Sequence, residues 1–275
     1  MGMNEIRFWK MSGSGNDFIL IDNRDGLIKE SEMSKLSRLL CRRKLSVGAD
    51  GVIFIQNSEK YDFSWRFFNP DGTEAEMCGN GSRCVARYAY LNGIAGKRME
   101  FETAAGPVKA EVCGRRVKVQ IFDPKDLRLD LPLEKLIEWE SADFINTGVP
   151  HVVIMVKNID LPVRDIGRKI RYHKLFSPSG TNVNFVKKEA EDQIRIRTYE
   201  RGVEDETLSC GTGAIASALI FSIRDGAKSP VSVKTESGEI LKIYFEKEKE
   251  GFKNVWLEGD TNIIYEGKLN QEALL

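Results

Sequence analysis

The sequence predicts an α/β (α+β) chain of two pseudo-symmetric domains, each a sheet wrapped around a buried helix. Three observations predict it. First, short runs rich in β-branched and aromatic residues recur along the chain, such as Ile6 to Met11, Phe18 to Ile21, Val52 to Ile55, Val117 to Phe122, Val152 to Val156 and Ile240 to Phe245. These read as strands. Second, helical periodicity is confined to a few stretches: Met33 to Arg42, one after Cys78 reaching about Leu91, and one after Cys210 reaching about Ile223. The last reads AIASALIF from Ala214, apolar on nearly every face, and such a helix belongs inside a core. Third, the halves echo each other: GSGNDFIL from Gly13 against GVPHVVIM from Gly148, and MCGNGSRCVARYAYL from Met77 against SCGTGAIASALIF from Ser209. The elements fall in the same order at similar separations, which argues for a duplicated unit. The boundary is expected in the polar, proline-bearing stretch Asp123 to Pro132, with a second crossing near Gly259. The expected domains are therefore 1–123 joined by 260–275, and 124–259.

Composition removes several function classes. At 275 residues the chain can bury a sizeable core. Its 41 basic and 41 acidic residues cancel and are spread throughout, so no single-sign field draws nucleic acid or anionic lipid. The most apolar stretch, Ala214 to Phe221, is far shorter than the ~20 residues that span a bilayer, and no basic segment leads into an apolar run at the N-terminus. A soluble, cytoplasmic protein is expected, with no membrane or nucleic-acid partner. Five cysteines, an odd number in a chain this long, argue for reduced thiols over a disulfide framework. His151 and His173 are the only histidines and no Cys-x2-Cys pair occurs, so no metal is expected.

The chemistry is carried by the paired Cys-Gly-x-Gly elements. Each follows a strand-like run and opens a helix, which puts Cys78 and Cys210 where unpaired N–H groups and the helix dipole favour anions. A thiol there is expected to be pushed toward thiolate. Glycines at 79, 81, 211 and 213 leave room for a ligand to lie against the backbone, so that one carboxylate could be held beside both sulfurs. Two equivalent acid–base groups suit inversion at a carbon bearing hydrogen, where one face loses a proton and the other gains one. An unperturbed thiol pKa of about 8.5 lets either protonation state be reached near neutrality. Cys41, Cys84 and Cys113 lack such a context and read as small buried hydrophobes. A thiol redox protein or anion-binding module remains a rival, since cysteines at helix starts can also form a reversible disulfide.

Longer motifs narrow the class. KMSGSGNDF from Lys10, FFNPDGTEAEMCGNGSRC from Phe67, TNVNF from Thr181 and YERGVEDETLSCGTGA from Tyr199 make the chain resemble the diaminopimelate epimerase family along nearly its full length. The resemblance implies mostly antiparallel, curved sheets around each central helix, with the active site in the interdomain cleft. It implies interconversion of LL- and meso-diaminopimelate for lysine and peptidoglycan precursors, without pyridoxal phosphate, metal or other cofactor, by a homodimer. By the family pattern Cys78 is the proton donor and Cys210 the acceptor, with roles reversing for the opposite stereoisomer. Substrate contacts transfer onto Asn16, Asn69, Gly79, Asn80, Asn182, Glu200, Arg201, Gly211 and Thr212. Glu200 and His151 resemble residues that tune the cysteine pKa values, and Tyr265 a tyrosine at the dimer interface. The far carboxylate of the substrate would need the donor fork of Arg201, and its ammonium the carbonyl oxygens of Asn and Glu. Two positions depart from some members: a substrate-binding glutamine corresponds to Gly51, and an asparagine to Val149. The loop GVED after Arg201 is also about one residue longer. Proline and hydroxyproline racemases share the two-cysteine plan; Asn182 with Glu200–Arg201, which serve a second polar substrate end, separates them.

Overall fold

The computed structural model describes residues 5–249 and 251–274. The chain divides into two compact units, one running to Val119 and resuming at Asp260, the other Gln120–Gly259.

In the first unit, β1 (Arg7–Gly13) and β2 (Asn16–Asp22) form an antiparallel hairpin, and helix α1 (Glu30–Leu40) crosses to β3 (Gly51–Gln56), parallel to β2. Then come β4 (Phe63–Phe68), antiparallel to β3, the short β5 (Glu74–Ala75) and helix α2 (Gly79–Leu91). β6 (Arg98–Thr103) pairs parallel with β4 and is followed by the antiparallel β7 (Gly106–Cys113) and β8 (Arg116–Gln120). The central strands are buried on both faces, which is why FILI and VIFI read as continuous apolar runs. Val52 and Phe54 join Met33, Leu36 and Leu40 of α1 in one cluster, while Ile53 and Trp65 lie against Gly81 of α2. Alternate strand residues thus serve two different helices.

The second unit repeats this plan. β9 (Lys125–Arg128) pairs with β10 (Ser141–Asn146), which forms an antiparallel hairpin with β11 (Pro150–Met155). Helix α3 (Val163–Arg171) crosses to β12 (Asn182–Lys188), parallel to β11. Antiparallel β13 (Gln193–Glu200) and β14 (Asp205–Thr207) lead into α4 (Gly211–Asp225). β15 (Val231–Lys234) runs parallel to β13 and is followed by antiparallel β16 (Ile240–Glu248) and β17 (Gly251–Asp260). Finally β18 (Asn262–Lys268) returns to the first unit, antiparallel to β1. Hairpin, helical crossover, parallel pair, central helix and second parallel pair recur in the same order, the topological form of the repeat read from the two Cys-Gly-x-Gly motifs. Every residue of α4 from Gly213 to Ser222 is buried, and Gly226, with a φ of 72°, closes the helix in the left-handed conformation.

Helix α3 is a correction, because its periodicity was not among the expected helices. Val163, Ile166 and Ile170 do form a buried stripe, but Pro162 and Gly167 break up the surrounding signal. Gly167 is there for packing: a Cβ would stand 2.4 Å from that of Tyr199.

Candidate active site

Each unit carries one cysteine at the N-cap of its central helix. In the first, Cys78 is half-buried with an extended backbone (φ −143°), and its Sγ accepts the Gly81 N–H at 3.4 Å. That bond is a cap, supplied here by sulfur to one of the orphan donors of the first turn. A polar web lies behind it. Asn80 Nδ2 donates to Asn16 Oδ1 (2.8 Å), and Asn16 Nδ2 donates to Asp50 Oδ2 (3.0 Å). Arg83, fully buried one turn into α2, donates to Asn80 Oδ1 (2.9 Å) and to Ser14 Oγ. Arg43 closes the outer edge by bonding both Asp17 and Asp50. Asn16 and Asn80, picked separately from sequence, are thereby one unit.

In the second unit Cys210 is buried, with Sγ 3.5 Å from Thr212 Oγ1. Thr147 Oγ1 donates to Thr212 O (3.0 Å), tying the helix start to the β10–β11 turn. Burial pushes the Cys210 thiol up to about 12, and the nearby Glu200 carboxylate adds to the shift. This corrects the expectation that a helix start draws the thiol toward thiolate. The Thr212 and Gly213 N–H groups do act in that direction, but desolvation outweighs them. Glu200 is itself raised by burial, opposed by a hydrogen bond from Thr207. His151 is fully buried and held neutral, its pKa driven down to about 3 by desolvation and then by the Arg201 charge. Asn182 Nδ2 donates to Pro150 O (2.9 Å) and its Oδ1 accepts the Arg201 N–H (2.8 Å), so it braces the backbone that presents Glu200 and Arg201.

The remaining expected residues stand apart from these webs. Asn69 bonds Thr73 within its own turn, and Tyr265 is exposed on β18, edge-on to Phe8 at 5.9 Å. At Gly51 a Cβ would lie 2.3 Å from Phe67 Cε2, so this backbone has no space for a glutamine side chain, and the neighbouring Asp50 holds Asn16 instead. Val149 is half-buried beside Gly148, whose φ of 104° shapes the turn. The GVED loop is anchored by Glu204, which accepts from Arg171, Tyr172 and the Gly202 N–H. Sequence reasoning missed Asp50, Arg83 and Asn184. The signal for Asn184 was the period of two in TNVNF, which puts Asn182 and Asn184 on one strand face. Among the described residues, no group of three or more His, Cys, Asp or Glu side chains is placed to hold a metal ion, and no helix is long and apolar enough to cross a membrane.

The sequence model of the diaminopimelate epimerase family matches residues 8–124 and 144–262, one stretch in each half. The chain is 48% identical to a diaminopimelate epimerase of Aquifex aeolicus, over 98% of this chain and 99% of the relative. It is 43% identical to one of Archaeoglobus fulgidus, over 98% of each. Among solved structures, a PhzF-family phenazine biosynthesis protein of Bacillus anthracis has the same fold, with a TM-score of 0.77 at 16% identity over 97% of this chain and 99% of that one. A hydroxyproline epimerase of Agrobacterium vitis gives a TM-score of 0.65 at 16% identity, over 96% and 92%.

Proposed function

Since this chain belongs to the diaminopimelate epimerase family, we propose that Cys78 and Cys210 together carry the family's reaction as a two-base proton exchange at one α-carbon. The reaction is the interconversion of LL- and meso-2,6-diaminopimelate, an isomerisation in lysine biosynthesis. The observation that supports the mechanism is the duplication itself, which puts a cysteine at the N-cap of the central helix in each half. One thiolate removes the α-hydrogen and one thiol supplies a hydrogen to the opposite face.

By the family pattern Cys78 gives the proton and Cys210 takes it, while burial and the Glu200 carboxylate disfavour the Cys210 thiolate in the free protein. The roles then alternate with substrate handedness. An amino-acid α-hydrogen is many units less acidic than a thiol, at about 1.36 kcal/mol per unit, so the remainder must come from geometry and electrostatics. The first-turn N–H groups of α2 and α4, around Gly79–Asn80 and Gly211–Thr212, are donors suited to the carboxylate as charge builds on the adjacent carbon. Asn16, Asn69, Asn182, Glu200 and Arg201 are assigned to the two polar ends of the substrate. With charge handled this way the reaction needs no pyridoxal electron sink. We further assign the product to peptidoglycan precursors as well as lysine, the protein to the cytoplasm, and a homodimer contact to the exposed stretch Ile263–Tyr265 of β18.

Purified protein incubated with LL-diaminopimelate in deuterated water, without added pyridoxal phosphate, is expected to yield meso product carrying deuterium at the inverted carbon. Cys78→Ala and Cys210→Ala should each lower that rate by ~10²–10⁴-fold. Epimerisation persisting in either variant rules out the two-thiol mechanism, and turnover of proline in place of diaminopimelate would move the protein to the racemase class.

A further inference from the structure

Asn184 has no assigned role in the reaction, yet it is the hub of the second half-site. It lies fully buried on β12, opposite Val153 of β11 and Thr198 of β13. Its Nδ2 donates to Val152 O at 2.9 Å and lies 3.1 Å from His151 Nδ1, while its Oδ1 accepts from Thr198 Oγ1 at 2.9 Å. A carbonyl can only accept, so Val152 O fixes which end of the amide faces β11. Both N–H groups are then donors, His151 Nδ1 must accept, and the ring proton sits on Nε2. The same Oδ1 abuts the first turn of α4, since a Cβ on Gly213 would stand 2.3 Å from it.

His151 Nε2 is buried and has no hydrogen-bond partner among the described residues. A buried N–H left unpaired carries its full desolvation penalty, which an acceptor on a bound ligand would relieve. The first half-site is built differently. By register Gly51 is the counterpart of Asn184, because Phe18 faces Gly51 as Val153 faces Asn184. Asn16 is the counterpart of His151, and Asp50 and Asn80 hold it.

We propose that Asn184 is a positioning residue that locks His151 as the Nε2–H tautomer, presenting one fixed, neutral hydrogen-bond donor to an anionic group of the substrate in the second half-site. His151 then acts by donating a hydrogen bond and carries no proton to or from the reacting carbon. The Arg201 guanidinium disfavours a second ring proton and reinforces the neutral form. The identity of the acceptor rests on the two-thiol reading; the tautomer does not.

The test is nitrogen NMR on protein labelled with ¹⁵N-histidine, practicable because the chain has two histidines, with His173→Gln for assignment. In wild-type protein the His151 Nδ1 signal is expected in the unprotonated range and Nε2 in the protonated range, unchanged from about pH 5 to pH 9. Adding an equilibrated mixture of LL- and meso-diaminopimelate should move the Nε2 signal and leave Nδ1 unprotonated. Asn184→Asp places an acceptor at Nδ1 and should shift that nitrogen into the protonated range, with kcat/KM falling at least ~10-fold. A wild-type ring protonated on Nδ1, an Nε2 signal unmoved at saturation, or an Asn184→Asp enzyme with a relocated proton and unaltered kcat/KM would each overturn the proposal. Should Asn184→Asp not fold, the wild-type spectra decide alone. Failure of the two-thiol reading appears separately, as turnover in the alanine variants with the tautomer signature intact.

Discussion

The two Cys-Gly-x-Gly helix starts share a backbone and differ in almost everything behind it. In the first half, five residues after Cys78, a fully buried Arg83 sits in a web of Asn80, Asn16 and Asp50, and the sulfur accepts a backbone N–H. Five residues after Cys210 stands Ile215, also fully buried, and the polar residues nearby are a neutral histidine, an amide and the half-buried Glu200 carboxyl. Duplication supplied two anion-accepting helix N-termini, and later divergence put a buried cation behind one and a carboxylate beside the other. The two thiols thus differ in their surroundings: a buried arginine follows Cys78 in its helix, whereas a carboxylate near Cys210 disfavours its thiolate. In the proposed two-base exchange that inequality would bias which thiol starts protonated.

The largest expected effect comes from removing the cation. Arg83→Met gives up charge-assisted bonds to Asn80 and Ser14 and should lower unfolding stability by about 2–3 kcal/mol. At the equivalent position Ile215→Met conserves volume and should cost under about 1 kcal/mol. Urea unfolding of the two variants measures the contrast directly. Equal losses would mean that Arg83 merely fills space and that the halves do not differ in the way described.

This asymmetry was hidden in the sequence for physical reasons, while the repeat was plain. Cysteine, glycine and apolar periodicity are local signals, so the strands around Phe18, Val52 and Val152, both central helices and the duplicated order could be read directly. Whether a polar residue is buried is not local. Arg83 looks like a solvated helix residue until β1 delivers Ser14 against it, and Asn184 looks like a strand residue until β11 and β13 flank it. The Cys210 pKa went the same way: the helix N-terminus is visible in sequence, whereas the desolvation that outweighs it depends on the whole core packed around α4. Short, interrupted periodicity hid α3, whose Gly167 is explained only by Tyr199.

The second glycine of each motif gives a smaller, sharper contrast. At Gly213 an added methyl meets Asn184 Oδ1 at 2.3 Å, a polar atom fixed by Thr198 and the β11 backbone. At Gly81 it meets Ile53 Cδ1 and the Trp65 ring at 3.2–3.3 Å, where side chains can give by tenths of an ångström. Gly213→Ala should therefore cost about 1–3 kcal/mol and Gly81→Ala less than about 1 kcal/mol, with activity lost chiefly in the former. The check is thermal unfolding with parallel epimerase assays. The reverse ranking would show that the rigid hub lies in the first half.

Glu200→Gln is the finest probe, since it alters one charge beside one sulfur. A neighbouring carboxylate disfavours thiolate, so neutralising it should bring the Cys210 pKa down from about 12, by roughly half a unit to one unit. For the substrate stereoisomer that uses Cys210 as the acid, rate is lost as that thiol ionises, which moves the alkaline limb of kcat/KM to lower pH in the variant. Stability should follow with the same sign. A thiol raised in the folded state contributes fully below its unfolded value near 9 and loses that contribution as pH rises toward 12, so lowering the folded value narrows the alkaline window over which stability falls. Any KM change would report the substrate contact proposed for Glu200 and leaves the position of the limb as the readout. If limb and stability window both stay in place, burial alone sets the second thiol, and the carboxylate drops out of the contrast between the halves.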